Sequence, residues 1–92
     1  MEEKFLAELE SRREAAAKAG VRIRPVADMK QAHRLLTGSR TSDGFDDLAK
    51  QGLLRLSLEA LAVDKRFTGL FTDEEANNAL MRLLDAGYKF KK

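Results

Sequence analysis

Glycine divides this chain into short lengths. Gly20, Gly38, Gly52 and Gly87 each follow a stretch of helical character. Each therefore reads as the residue just past a helix end, where a left-handed conformation closes the last turn and a Cβ would be strained. Stops at this spacing exclude one long coiled coil. They predict an all-α fold, a compact bundle of four or five short helices forming a single small domain over residues 1–92.

The first helix is expected from Glu2 to Ala19. Phe5, Leu6, Leu9, Ala16 and Ala17 recur at helical spacing, and Glu8 precedes Arg12, as Glu14 precedes Lys18, by four residues, the order in which an acid–base pair supports a helix. Val21 to Pro25 alternates apolar and basic residues and reads as extended, because proline disfavours helical geometry in the residue before it. Pro25 then enters the first turn of a second helix, with Val26, Met29, His33 and Leu36 facing inward. Ser42 or Asp43 is expected to cap a third helix that buries Phe45, Leu48 and Ala49.

Residues 53–58 fit two patterns. Leu54, Leu56 and Leu58 alternate as in a strand, whereas Leu54, Leu58, Leu61 and Ala62 suit a helix. The reading taken is a brief extended piece or direct continuation, then a helix over about 57–63 for which Ser57 is a candidate cap. Thr72 and Glu75 have capping-box spacing, and Asp73 and Glu74 add negative charge at the positive end of the last helix. Ala76, Ala79, Leu80, Leu83 and Leu84 are assigned to its inward side. Tyr88–Phe90 alternates again and is assigned to a marginal two-stranded ribbon with Val21–Arg24. The core is expected to draw on Phe5, Leu9, Met29, Leu36, Phe45, Leu48, Leu58, Leu61, Phe71, Leu80 and Leu84.

Composition removes several classes of function. The chain has no cysteine, which excludes thiolate nucleophiles and thiolate metal sites and favours a reducing compartment. Its charged first residues do not read as a secretory leader, and no apolar run approaches the ~20 residues that span a bilayer. A cytoplasmic location with no membrane partner is the expectation. The net charge of +2 is too small to name a partner, but its distribution is uneven. Residues 21–40 hold Arg22, Arg24, Lys30, Arg34 and Arg40 against the single acid Asp28, a local excess of +4, and segregated charge of this kind orients encounters with anions.

Catalytic patterns are absent. His33 is the only histidine, and its helical stripe with Met29 and Leu36 makes it a boundary residue rather than a base or metal ligand. Asp43, Asp46 and Asp47 lack the ligand spacing of a calcium loop, and there is no phosphate-binding loop, dinucleotide fingerprint or serine elbow. No catalytic residue, metal or cofactor is expected. The leading reading is a non-enzymatic protein-interaction or adaptor module, with Phe5, Leu6 and Leu9 on the first helix as the apolar stripe that docks another protein or a second copy. The alternative is a nucleic-acid-binding accessory protein whose Arg22, Arg24, Lys30, Arg34, Ser39 and Arg40 contact the phosphate backbone. The stretch from Val26 to Ser57 resembles a helix-turn-helix in its order of elements. Its turn from Gly38 to Asp43 is longer than the usual 3–4 residues, and Asp46 and Asp47 place acid where a recognition helix needs donors.

Overall fold

The computed structural model describes residues 2–38 and 40–88, and side chains of Asp28, Ser57 and Thr72 cap the starts of helices in it. Five α-helices follow one another: α1 (Glu2–Lys18), α2 (Met29–Thr37), α3 (Phe45–Lys50), α4 (Leu58–Ala62) and α5 (Asp73–Asp85). Single 3-10 turns at Leu54–Leu56 and Thr68–Leu70 lead into α4 and α5. No strand occurs among the described residues, and the architecture is a small all-α bundle. Residues 21–27 run without regular structure, and the far half of the expected ribbon, beyond Tyr88, lies outside the described residues.

The shortest α-helix is the most buried. All five residues of α4 are enclosed, and it packs against both α5 and α1. Leu58, Leu61 and Ala62 join Phe5 and Leu9 of α1, Met29, Ala32 and Leu36 of α2, and Phe67, Phe71 and Ala79. Ala60 joins a second cluster with Ala16, Val21, Phe45, Leu48, Leu54 and Leu83. Phe5 meets Phe67 and Phe71 edge to face, with ring centroids 5.3 and 5.1 Å apart, which adds about 0.5–1.5 kcal/mol per pair beyond the area buried.

Two local signals in the second half of the chain hold. The side-chain oxygen of Thr72 accepts the Glu75 N–H and the Glu75 carboxylate accepts the Thr72 N–H, a complete capping box. Ser57 caps α4 by accepting the Ala60 N–H at 3.1 Å. Other expectations are corrected. The second helix begins after Asp28, not at Pro25. Asp28 Oδ1 accepts the Gln31 N–H and Gln31 Oε1 accepts the Ala27 N–H, both at 2.9 Å, so two donors near the helix start are satisfied where Pro25 offers no acceptor side chain. The chain from Val21 to Asp28 is left as an extended crossing.

Gly38 is not left-handed (φ −69°). The fourth positive-φ glycine, with Gly20, Gly52 and Gly87, is Gly44. At φ +77° it precedes α3, and a Cβ there would lie 2.8 Å from Ile23 Cγ1. Neither Ser42 nor Asp43 caps α3, because both are engaged elsewhere: the Ser42 hydroxyl donates to Glu59, and Asp43 accepts the Arg24 N–H. The inward side of α5 also differs. Leu84 is 50% exposed and Leu80 half-buried, whereas Glu75, Ala79 and Leu83 are buried. Polar side chains turn this helix. Asn78 donates to the Leu36 carbonyl at 3.0 Å, and the Arg82 guanidinium reaches the carbonyls of Leu35, Leu36 and Gly38 at 3.2, 3.4 and 2.6 Å. These are carbonyls at and just beyond the end of α2, the group a helix leaves unpaired.

Candidate interaction surface

The crossing from Val21 to Asp28 supplies Ile23, Arg24 and Val26 to the lining of an apolar cleft. Gly20, in the left-handed region, turns the chain back at the end of α1, and the Val21 N–H bonds to Ala16 O at 2.9 Å. Val21 is buried, Arg22 points to solvent, Ile23 is half-buried and Arg24 is exposed again, so the apolar/basic alternation of the sequence becomes an inner and an outer side. Arg13 Nη1 donates to Ile23 O at 3.4 Å, and the Arg24 N–H donates to Asp43 Oδ2 at 2.8 Å. These bonds hold the crossing between α1 and the loop before α3.

Beneath it lies a cleft of about 170 Å³. Leu9, Ile23, Val26, Leu35, Leu56 and Leu58 form its walls, and Arg13, Arg24, Gln31, Ser42 and Asp43 supply its polar edge. Four of the wall residues, Ile23, Val26, Leu35 and Leu56, are only partly buried. Cofactor and drug-sized ligands occupy roughly 300–1,000 Å³, so this space is too small for them. It matches the ~150 Å³ apolar cavities that hold a benzene ring.

Five cations stand on the same part of the chain. Arg22, Arg24, Lys30, Arg34 and Arg40 are all exposed, and Ser39 lies outside the described residues. Lys30 and Arg34 are one turn apart on the outer side of α2. None of the five side chains makes an ion pair with a described residue. Arg55 is likewise exposed and without an ion pair among the described residues, whereas four other arginines are paired. Arg12 pairs with Glu8, Arg13 with Glu10, Arg66 with Asp64 and Arg82 with Glu59.

The apolar stripe assigned to α1 is placed differently. Phe5 and Leu9 are core residues, with Phe5 fully enclosed, and Leu6 is half-buried against the same cluster. Their apolar surface is used within the chain. Among the described residues, the exposed large apolar ones are instead Met81 and Leu84 on α5.

Two polar constellations went unread in the sequence. The first is Glu59, which is fully buried and accepts from the Ser42 N–H (2.8 Å), the Ser42 hydroxyl (2.6 Å) and Arg82 Nη1 (3.2 Å). The second joins His33 to the capping box. His33 Nδ1 lies 2.9 and 2.8 Å from the two Glu75 oxygens, and its ring meets Phe71 edge to face. Burial pushes the Glu75 carboxyl up, but the Thr72 N–H and the His33 ring oppose it and together hold the group below its ordinary value. An ionised carboxylate only accepts, so Nδ1 carries the proton. The pair locks α2 to the start of α5. No group of three or more acidic or histidine side chains suited to a metal occurs among the described residues, and no described helix is long and apolar enough to cross a membrane. No protein-family model matches the chain, and neither a curated protein nor a solved structure was found to match it.

Proposed function

We propose that this chain is a non-enzymatic protein-interaction module whose contact surface is the cleft beneath the Val21–Asp28 crossing together with the basic residues around it. One observation carries the reading. Arg22, Arg24, Lys30, Arg34 and Arg40 are exposed and without a carboxylate partner among the described residues, and Arg24 lines a cleft with partly open aliphatic walls. Surface charge that does not hold the fold together is available to a partner, and an apolar cleft beside it supplies the desolvated centre that recognition surfaces need. The proposal rests on this surface rather than on Phe5, Leu6 and Leu9, two of which are committed to the core.

Affinity capture with the wild-type chain and with the triple variant Arg24→Glu, Lys30→Glu, Arg34→Glu tests it. The expected result is a set of proteins that the wild type retains after nuclease treatment and the triple variant loses. Equal retention by both would overturn the assignment of the surface. The same unpaired cations favour a second reading, a nucleic-acid-binding accessory protein. It requires retention that vanishes with nuclease, affinity for DNA or RNA that falls steeply with salt, and further loss on Arg34→Ala with Arg40→Ala.

A further inference from the structure

We infer that the cleft receives one large apolar side chain of a partner protein, presented on an acidic stretch of that partner's chain. The inference rests on the interaction-module reading and names what the surface would recognise. Three observations converge on this occupant. The cleft holds about 170 Å³, the scale of one leucine, methionine or phenylalanine side chain and well below a small-molecule site of roughly 300 Å³ or more. Its walls are aliphatic, from Leu9, Ile23, Val26, Leu35, Leu56 and Leu58. Single-stranded nucleic acid is held by stacking bases on aromatic rings, and no aromatic residue lines this cleft.

The charge at the mouth sets the flanking chemistry. Arg13 is paired with Glu10, and Asp43 accepts the Arg24 N–H but keeps its charge, so the lining carries two guanidiniums to one carboxylate. The Arg24 side chain has no described partner and lines the cleft, and Arg22 lies two residues before it on the same crossing. A carboxylate on either side of the apolar anchor meets these guanidiniums, whereas a lysine there is repelled. A second copy of this chain is a poorer occupant. Its exposed apolar residues, Met81 and Leu84, have only Asp85 as an adjoining acid, and Lys89, Lys91 and Lys92 follow.

Three short blocked peptides serve as probes: phenylalanine flanked by glutamates, alanine flanked by glutamates, and phenylalanine flanked by lysines. Methyl spectra of Ile23, Val26 and Leu35 report occupancy in the unmodified protein. The glutamate–phenylalanine peptide is expected to shift these methyls and to bind at least about tenfold more tightly than either control. Arg24→Glu should reverse the preference between the glutamate and lysine peptides. Val26→Trp, which fills the cleft at a half-buried position, should abolish the methyl response, and an unchanged melting temperature confirms that it folds. Indistinguishable binding of the three peptides overturns the inference, as does a response centred on Met81 and Leu84. So does a thymidine oligonucleotide that outcompetes the acidic peptide, or self-association at rising concentration that Met81→Glu removes. If natural partners are lost by the triple charge reversal but retained by Val26→Trp, the interaction reading stands and the cleft occupant fails. If both variants retain them, both fail.

Discussion

Arg82 and Arg24 carry the same guanidinium in opposite surroundings. Arg82 is 11% exposed, bonds the fully buried Glu59 and reaches three carbonyls at the end of α2. Arg24 is exposed at a cleft edge, and its side chain has no described partner. The planar fork that suits Arg82 to several acceptors at once is idle in Arg24. Charge enclosed with its partners fixes how helices meet, and charge left outside is free for something that is not part of the chain. Burial and pairing, not residue type, separate the two.

The largest effect should come from breaking the enclosed pair. Arg82→Ala leaves the Glu59 carboxylate buried with Ser42 as its remaining donor and strips a partner from the α2 carbonyls. A loss of about 3–5 kcal/mol is expected, and a domain of this size shows roughly 4–8 °C of melting shift per kcal/mol. Thermal unfolding followed by circular dichroism measures it. Glu59→Met combined with Arg82→Met should recover part of the loss, because no buried charge is then unpaired, but not all of it, since the carbonyls remain bare. An Arg82→Ala variant as stable as the wild type would erase the contrast with Arg24.

Little of that pair was legible beforehand. Glu59 stands 17 residues from Ser42 and 23 from Arg82, and nothing local marks it as buried. Amphipathic reading assumes that polar side chains face outward. On α5 that assumption fails, because Asn78 and Arg82 turn toward the end of α2, and Leu84 is rotated to the surface in consequence. The features that were legible are those set within one or two turns: the Thr72–Glu75 box, the Ser57 cap, the inward placement of Phe5, Leu9 and Ala16 on α1 and the left-handed glycines at 20, 52 and 87. Gly44 and Gly38 exchange roles for a similar reason, since what demands a glycine at 44 is the approach of Ile23 from a distant stretch. The cleft has pieces of several elements in its lining, so the sequence singled out Arg24 but neither Arg13 nor the way the apolar walls meet.

Gly44 lies against the Val21–Ile23 stretch and supplies the next test. It is left-handed, and a Cβ would press on Ile23 and Val21. Gly44→Ala should cost about 1–3 kcal/mol in urea unfolding and should displace the Ile23 methyl that lines the cleft. Gly52 is also left-handed but faces open space, so Gly52→Ala should carry the conformational cost alone. Equal losses at the two positions would show that the approach of Ile23 contributes nothing.

The capping box should come third. Thr72→Ala removes the acceptor for the Glu75 N–H, at about 1 kcal/mol. The carboxyl of Glu75 is held below its ordinary value in the fold. Its contribution is therefore present above the unfolded-state value and is lost as pH falls through the folded-state value. Stability measured from neutral into acidic pH should decline over that interval, and Glu75→Gln should flatten this part of the profile. An unchanged profile would mean that another carboxylate governs the acid limb.

The smallest expected effect is the most informative about function. Arg24→Ala and Arg34→Ala remove guanidiniums that hold no described carboxylate, so each should change stability by less than about 0.5 kcal/mol. The same substitution at Arg82 should cost several times more, although all three remove one positive charge from a chain of net charge +2. Matched unfolding curves for the three variants decide the point. If Arg24→Ala or Arg34→Ala destabilises by more than about 1 kcal/mol, that residue supports the fold and no longer counts as surface reserved for a partner. If both are neutral, what keeps arginine at these positions has to be sought outside the chain, and the acidic peptide is the direct probe of it.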